Sequence, residues 1–321
     1  MAISSFIDLD NLSYCGKEAS EIFSQEIYSL DLRNMGITFM DGVKGKQKIY
    51  TGEVGDLWQE YTCPFTPDGD VVLSEATIEP VAIKINLEEC YDVFWPTYLV
   101  EQTEITHNGG IPNTFFNWFF EKRLQPQMEK EYQEIFWRGD KNYSGATKQY
   151  LAVTDGVEAI LEGNSATTKI DGASAFTVDN IEAEVEAVAS KILEVGGDME
   201  VNADNYKIFM NKHDIRLLIV ALGKDCTCNT VNNVFKNYTL EGDKLFVYGF
   251  EIVPTEQSRN TIIAAPANNL VLGYDTFDSH LEYRIIDMRE STGDNAFRVI
   301  ALSNIAVGVV YPEIAVYSRP E

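Results

Sequence analysis

The chain has 321 residues, of which 45% are hydrophobic and 12% aromatic, so it can bury a sizeable core and is not an intrinsically disordered protein. Its 25 Lys and Arg against 50 Asp and Glu give a net charge of -25, which opposes long-range attraction to nucleic acids and to anionic membranes. The sequence has no apolar run of the ~18 residues that a membrane helix needs, no signal-peptide pattern and no spacing typical of a disulfide framework. We therefore expect a cytoplasmic globular protein with free thiols.

The first 87 residues predict an arm followed by a long hairpin. Residues 1–45 mix a short amphipathic piece with polar residues and glycines, which is typical of an arm. In the next stretch, Pro67-Asp68-Gly69 supplies a turn, and apolar and polar residues alternate over 81–87 as in a half-buried strand. Residues 46–87 therefore predict an extended β-hairpin. Since so long a hairpin cannot bury itself, we expect it to lie on another surface, including that of a second subunit.

Residues 113–138 predict one long helix, which at 1.5 Å per residue would span roughly 39 Å. Its first half is aromatic nearly all round, whereas its second half has a one-sided apolar stripe. Pro126 cannot donate a hydrogen bond to the carbonyl of Lys122, so we expect the helix to kink or to start afresh there. A rod of this length is expected to organise more than one region of a subunit.

Residues 151–266 have an α/β pattern. Asp179 and Glu182 predict the start of a helix that ends at Gly196-Gly197 and buries a stripe of four apolar residues, Ile181, Val185, Val188 and Ile192. A strand over 206–210, a cap at Asn211 and a helix over 212–222 that stops at Gly223 follow. Several β-rich segments complete the chain, so the predicted fold class is α+β.

The sequence offers little catalytic chemistry. Its three histidines have no metal-binding spacing, and the stretch GVKGKQK lacks the spacing of a phosphate-binding loop. Cys226 and Cys228 have no second cysteine pair to complete a four-ligand metal site, and no nucleophile motif is present. We therefore predict that the chain is not an enzyme and holds no cofactor or metal. A cytoplasmic hydrolase that uses dispersed carboxylates stays open as an alternative.

Three stretches of the sequence carry a family resemblance. They are YKIFMNKHDIRLLIVALGKD, LFVYGFEIVPTEQSRNTIIAAPANNLVLGYD and the closing EYRIIDMRESTGDNAFRVIALSNIAVGVVYPEIAVYS. Together with the order of arm, hairpin, long helix and α/β insert, they resemble the major capsid proteins of tailed bacteriophages. That family has the Hong Kong 97-like fold, which it shares with encapsulins.

The resemblance implies a division of the chain into an N-terminal arm (1–45), an extended loop (46–87), a peripheral domain (88–150) with a spine helix (113–138), an axial domain (151–266) and returning peripheral strands (267–321). It also implies that hexamers and pentamers of the chain tile an icosahedral shell around double-stranded DNA, without sequence-specific DNA binding. The implied partners are the chain itself and a portal, with no membrane partner. Some family members carry a built-in helical scaffold of roughly a hundred N-terminal residues, whereas the arm here begins almost at Met1, so we expect a separate scaffolding protein or assembly without one. The implied location is the virion, assembled in the cytoplasm of the host bacterium.

From this assignment we predict contacts between subunits along the hairpin and the second half of the long helix. The candidate residues are Lys46, Lys48, Asp56, Trp58, Tyr61, Asp68, Asp70, Tyr132 and Phe136. Some family members lose an N-terminal segment or form Lys–Asn crosslinks, and for this chain we expect neither. The alternatives that share features of the pattern are an encapsulin-type compartment, whose cargo-peptide pocket we do not find in the sequence, and another virion part such as a tail tube or decoration protein.

Overall fold

The structure of the chain is a computed structural model, which describes residues 31–54, 71–107, 114–173, 175–198, 205–224, 238–241, 244–275 and 283–320. Most of the predicted arm and the predicted turn at 67–69 lie outside the described residues. In chain order the described helices are α1 (Asp31–Asn34), α2 (Tyr91–His107), α3 (Phe115–Phe119), a π-helical segment (Phe120–Leu124), α4 (Gln125–Arg138), α5 (Val157–Gly163), α6 (Ile181–Asp198), α7 (Lys212–Lys224) and α8 (Met288–Ser291). Among these described helices, none is long and apolar enough to cross a membrane.

The described strands form three sheets. They are β1 (Thr38–Asp41), β2 (Gln47–Val54), β3 (Val71–Ile78), β4 (Val81–Cys90), β5 (Thr168–Gly172), β6 (Tyr206–Asn211), β7 (Tyr238–Glu241), β8 (Lys244–Val247), β9 (Phe250–Thr255), β10 (Ile262–Pro266), β11 (Leu270–Asp275), β12 (Tyr283–Asp287), β13 (Ala296–Val309) and β14 (Val316–Pro320). One sheet has five strands, one has seven, and β2 and β3 pair as a two-stranded hairpin.

Strand β13 is the centre of the five-stranded sheet. It pairs antiparallel with β4 along one edge, while β12 and β11 follow each other along the opposite edge and β1 pairs parallel with β11. The alternation over residues 81–87 correctly predicted a strand, but the strand belongs to this sheet and not to the hairpin. The apolar side chains of β4, such as Ile85 and Leu87, pack against a cluster of buried aromatic residues that includes Phe297. A hairpin that projects from the subunit would leave these side chains exposed to solvent.

The seven-stranded sheet has the order β5-β14-β10-β6-β9-β8-β7 and is covered on both faces. Successive residues of its strands point to opposite faces, as the two-residue period requires. Ile208 and Met210 pack with helices α6 and α7, whereas Phe209 packs in the core on the other face. The helices α6 and α7 therefore form an outer layer on this sheet.

The C-terminal strand β14 lies in the seven-stranded sheet, between β5 and β10. The sequence assigned all of residues 267–321 to the returning peripheral strands, so the structure differs from that assignment at the end of the chain. The physical reason is burial on both faces. Val316 packs with the outer helices and Tyr317 packs in the opposite core, so β14 needs a position inside a covered sheet.

The long helix runs from Phe115 to Arg138 in three segments. Thr114 caps its start by accepting a hydrogen bond from the backbone N–H of Asn117. The segment Phe120–Leu124 is π-helical, and the N–H of Gln125 donates to the carbonyl of Phe120, five residues earlier. Pro126 then lies in the first turn of α4, where a missing N–H costs least. We expected a kink or a fresh start at the proline; the backbone instead stays helical through Leu124 and Gln125, and the helix changes to π-helical geometry in the segment just before Pro126.

The two ends of the long helix enter different cores. Its N-terminal end joins an aromatic cluster with α2, β4, β12 and β13, on the five-stranded sheet. Its C-terminal end lies in a central core that also receives side chains from both large sheets. The helix therefore connects the two sheets through apolar packing. This agrees with the expectation that it organises more than one region of the subunit.

Candidate assembly surfaces

Among the described side chains, the hairpin of β2 and β3 packs on the rest of the subunit at its base. Ile78 is fully buried there, and Ile49 packs beside it, against Val43, Val271 and Ala306 of the five-stranded sheet region. Further out, within the described residues, β2 and β3 pair with each other and with no other strand. Because an isolated two-stranded hairpin is marginally stable in water, this hairpin needs a further surface to lie on.

The exposed face of the hairpin is amphipathic. Tyr50 is 68% exposed and lies directly opposite Glu75 on the neighbouring strand. Lys48 Nζ lies 2.7 Å from the Glu75 carboxylate, in an ion pair about half exposed to solvent. Such a pair contributes ~0–1 kcal/mol to folding. The face therefore offers an aromatic ring and a charge pair to a second surface.

The predicted contact residues divide into three groups. Lys46 is exposed at the start of the hairpin, Lys48 is in the ion pair with Glu75, and Tyr132 is partly buried against the central core. Phe136 is 0% exposed, so its side chain packs inside its own subunit and is not carried forward as a contact between subunits. The remaining candidates, Asp56, Trp58, Tyr61, Asp68 and Asp70, lie outside the described residues.

Helix α2 has a buried face and an apolar exposed face. Tyr91, Tyr98 and Gln102 are buried, whereas Val93 is 62% and Val100 60% exposed. This helix was not predicted from the sequence, because Pro96 interrupts the pattern and apolar residues occur on both faces. Those apolar residues on the outward face are themselves a signal of a covered surface that sequence reasoning could have used.

The outer helices α6 and α7 expose a third apolar surface. Leu193 on α6 is 60% exposed, and Ile219 and Val220 on α7 are more than half exposed beside Arg216. Together with Tyr50, Leu99 and the two valines of α2, these residues are all the large exposed apolar side chains in the part of the chain that the structure describes. Each of them lies on the hairpin, on α2 or on the outer helices.

A buried ion pair ties the long helix to the segment that follows it. Glu134 on α4 is 3% exposed, and its carboxylate accepts hydrogen bonds from Lys148 Nζ at 2.7 Å and from the hydroxyl of Tyr150. Burial raises the pKa of Glu134, but these two hydrogen bonds and the lysine charge outweigh it, so the pKa lies below its ordinary value. Glu134 is thus a structural carboxylate, ionised at neutral pH.

Two other carboxyl groups hold the loop between β9 and β10. Glu158 of α5 accepts from the backbone N–H of Ser258, and Asp214 of α7 accepts from that of Asn260 at 2.8 Å. Burial raises the pKa of both carboxyls above the ordinary value, more than the hydrogen bonds and nearby cations lower it. Both act on backbone groups of the fold. Among the described residues, no group of three or more His, Cys, Asp or Glu is placed to hold a metal ion.

Solved structures provide the decisive comparison, since no protein-family model and no curated protein matches the sequence. A chain of the satellite phage P4 procapsid, a structure that includes the size determination (Sid) protein, aligns over 93% of this chain and 98% of its own length, with a TM-score of 0.61 and 11% identity. The chain has the Hong Kong 97-like fold of phage capsid proteins.

Two further structures extend the comparison. The capsid of Myoviridae phage XM1 aligns over 100% of this chain and 97% of its own, with a TM-score of 0.52 and 10% identity. The capsid of an empty GTA particle aligns over 91% and 89%, with a TM-score of 0.52 and 12% identity. In all three comparisons the alignment covers nearly the whole of both chains.

Proposed function

We propose that this chain is the major capsid protein of a tailed bacteriophage, which self-assembles as hexamers and pentamers into an icosahedral shell. The observation that carries the proposal is where the apolar surface lies. A subunit with the fold of phage capsid proteins keeps its large exposed apolar side chains on a projecting hairpin and on two helical faces, among the described residues. Surfaces of this kind are typical of contacts between proteins.

The domain division follows from the same proposal. The five-stranded sheet with the long helix forms the peripheral domain, the seven-stranded sheet with α6 and α7 forms the axial domain, and β2 with β3 forms the base of the extended loop. The long helix then acts as the spine that holds the two domains in one flat subunit. The C-terminal strand β14 belongs to the axial sheet in this division.

The proposed partners are other copies of the chain, a portal and a separate scaffolding protein. The shell encloses double-stranded DNA without reading its sequence, since the net charge of -25 opposes direct attraction to phosphates. The role is structural and includes no catalytic step. The proposed location is the virion, after assembly in the cytoplasm of the host bacterium.

Shortening the hairpin tests the proposal. A variant in which residues 56–70 are replaced by a short Gly-Ser turn keeps the base strands, so we expect a folded subunit that fails to form stable shells. Circular dichroism checks the fold, and negative-stain electron microscopy checks the particles. The matched control is Lys141→Ala, which removes a half-exposed ion pair with Asp155 away from the hairpin and should leave assembly intact. Normal shells from the shortened variant would remove the hairpin from the assembly contacts.

A further inference from the structure

Strand β4 is an open edge of the five-stranded sheet. Among the described strands it pairs only with β13, and its register with β13 is unbroken over all ten of its residues. The unpaired N–H and C=O groups of an edge strand can form hydrogen bonds with a strand of another chain, and many proteins keep such edges short or bulged to prevent this. The long, regular edge of β4 is therefore a template for a further strand.

A hydrogen bond next to β4 shows which of its residues point outward. The N–H of Tyr91 donates to the carbonyl of Asn295, and this pair continues the register in which Cys90 lies opposite Ala296. In an antiparallel pair, residues with both backbone groups turned toward the partner strand alternate with residues turned away from it. The outward backbone groups of β4 therefore belong to Ala82, Lys84, Asn86, Glu88 and Cys90. All five residues are exposed.

We propose that β4 pairs antiparallel with β4 of a second copy, across a two-fold axis that passes through Asn86 perpendicular to the sheet. This is the register that pairs all five outward residues with one another. The facing pairs are Ala82 with Cys90, Lys84 with Glu88, and Asn86 with its own copy. The pairing rests on the proposed function, because a closed shell needs contacts between neighbouring rings, and a contact across a two-fold axis joins identical surfaces.

The same register matches the charges on the exposed face of the strand. The charged residues of β4 are Lys84, Glu88 and Glu89. Residues directly opposite each other on antiparallel strands have Cβ atoms roughly 4.5–5.5 Å apart, so Lys84 meets Glu88 of the second copy, once on each side of the axis. Arg298 of β13 pairs with Glu88 in its own subunit. The three side chains then form a row of alternating charge across three strands.

The inner face of β4 is apolar and only partly buried. Ile83, Ile85 and Leu87 pack on the cores of the subunit, but each keeps intermediate exposure. In the proposed pair, Ile85 lies opposite Leu87 of the second copy. Glu89, the third charged residue, lies opposite Ile83 at the two ends of the pair. The pairing therefore covers apolar side chains as well as backbone groups.

A pair of cysteines tests the register directly. Ala82→Cys is introduced into a chain that keeps the exposed Cys90 and has serine in place of its other four cysteines. Positions 82 and 90 lie about 26 Å apart along one strand, so a disulfide between them must join two copies. Oxidation of the purified chain, whether as shells, rings or free subunits, should give covalent dimers on non-reducing gels.

Two chains with one cysteine each are the controls. One keeps Cys90 alone, and the other combines Ala82→Cys with Cys90→Ser, so neither places two thiols opposite each other. Both should give far less dimer than the chain with two cysteines. No dimer from that chain, or equal dimer from either control, would overturn the pairing and assign the edge to a different strand.

A proline at the axis tests the backbone contact. Asn86→Pro removes an N–H that points away from β13, and an edge strand tolerates proline at such a position, so the subunit should fold. Closed shells should decrease about tenfold or more, because the contact loses its central hydrogen bonds. Leu87→Pro removes an N–H that points toward β13 and should lower the melting temperature much more. Equal melting temperatures of the two variants would contradict the outward direction of Asn86.

A reversed charge separates this inference from the function on which it rests. Lys84→Glu places a second carboxylate opposite Glu88 of the other copy, so it should leave rings of five and six subunits but reduce closed shells about tenfold. Lys141→Glu reverses an exposed charge outside β4 and is the control that should form shells. Normal shells from Lys84→Glu would overturn the β4 pairing alone, whereas a wild-type chain that forms neither rings nor shells would overturn the proposed function.

Discussion

The N-terminal end of the long helix packs mainly through aromatic rings, whereas its C-terminal end adds a close backbone crossing and a buried ion pair to its apolar packing. At the first end, Phe115, Phe116 and Phe119 surround the ring of Phe297 at centroid distances of 4.9 to 5.9 Å. At the second end, the N–H of Gly156 donates to the carbonyl of Gly139 at 2.8 Å. One helix thus uses two kinds of packing.

The difference follows from what each end must contact. The aromatic end covers one face of the five-stranded sheet, and large rings fill a broad surface with few side chains. The other end lies where the two sheets meet, so the chain must turn in little space, and only residues without a Cβ fit. The comparison predicts different sensitivities to substitution at the two ends.

The largest effect is expected at the backbone crossing. In Gly156→Ala the added Cβ would lie 2.6 Å from the amide nitrogen of Gly139 and 2.8 Å from the carbonyl of Ile135, and these are backbone atoms that cannot move aside. We expect a loss of ~4 kcal/mol or more in the free energy of unfolding, or insoluble protein. The control Gly163→Ala meets nothing within 4 Å and should change stability by ~1 kcal/mol or less. Equal stability of the two variants in urea unfolding would contradict the close crossing.

Removing the Phe297 ring, at the centre of the aromatic end, is expected to lower the free energy of unfolding slightly less than Gly156→Ala does. Phe297 is 0% exposed, so Phe297→Ala should lower the free energy of unfolding by ~3–5 kcal/mol through the cavity that it leaves. Tyr50→Ala, at a mostly exposed ring of the hairpin, is the control and should change the stability of the unassembled subunit by ~0.5 kcal/mol. A loss below ~1 kcal/mol for Phe297→Ala would show that the cluster does not hold this end of the helix.

The buried ion pair gives a smaller, pH-dependent effect. Glu134→Gln should cost ~1–2 kcal/mol at pH 7, since Lys148 is 39% exposed and solvent screens part of the interaction. Because the folded pKa of Glu134 lies below its ordinary value, its contribution is present above the ordinary pKa of ~4.3 and is lost as pH falls through the lower folded pKa. The wild-type and variant unfolding energies should therefore converge in acid. A constant difference from pH 7 down to pH ~3 would contradict the assignment.

The smallest effect is expected at the proline. Pro126→Ala supplies an N–H in the first turn of α4, where a proline is well tolerated, so the stability should change by ~1 kcal/mol or less. Chemical denaturation measures the change. A loss above ~2 kcal/mol would mean that the proline, and not the aromatic packing, maintains the π-helical segment before it.

Secondary structure was predicted most accurately from the sequence for helices and strands with one buried face. The apolar stripe of α6, from Ile181 to Ile192, is completely buried, and Asn211 caps α7 by accepting from the N–H of His213. These features depend on local spacing alone. The partners of β4 and β14 could not be predicted, because strand pairing joins residues that are far apart in the chain and follows from the cores on each face.

The candidate surfaces were predicted only in part. The hairpin was expected from its turn residues, and Lys46 and Lys48 are at its base, whereas Phe136 has an apolar pattern that fits a subunit contact and a core position equally well. The exposed face of α2 was not found at all. Exposure depends on what else packs nearby, and a periodic pattern in one segment does not contain that information.

Electron microscopy of the purified chain, expressed alone and together with its neighbouring reading frames, tests the central claim most directly. The proposal predicts closed shells, or rings of five and six subunits, in at least one of the two preparations. A well-behaved monomer or small dimer in both preparations would contradict a capsid function.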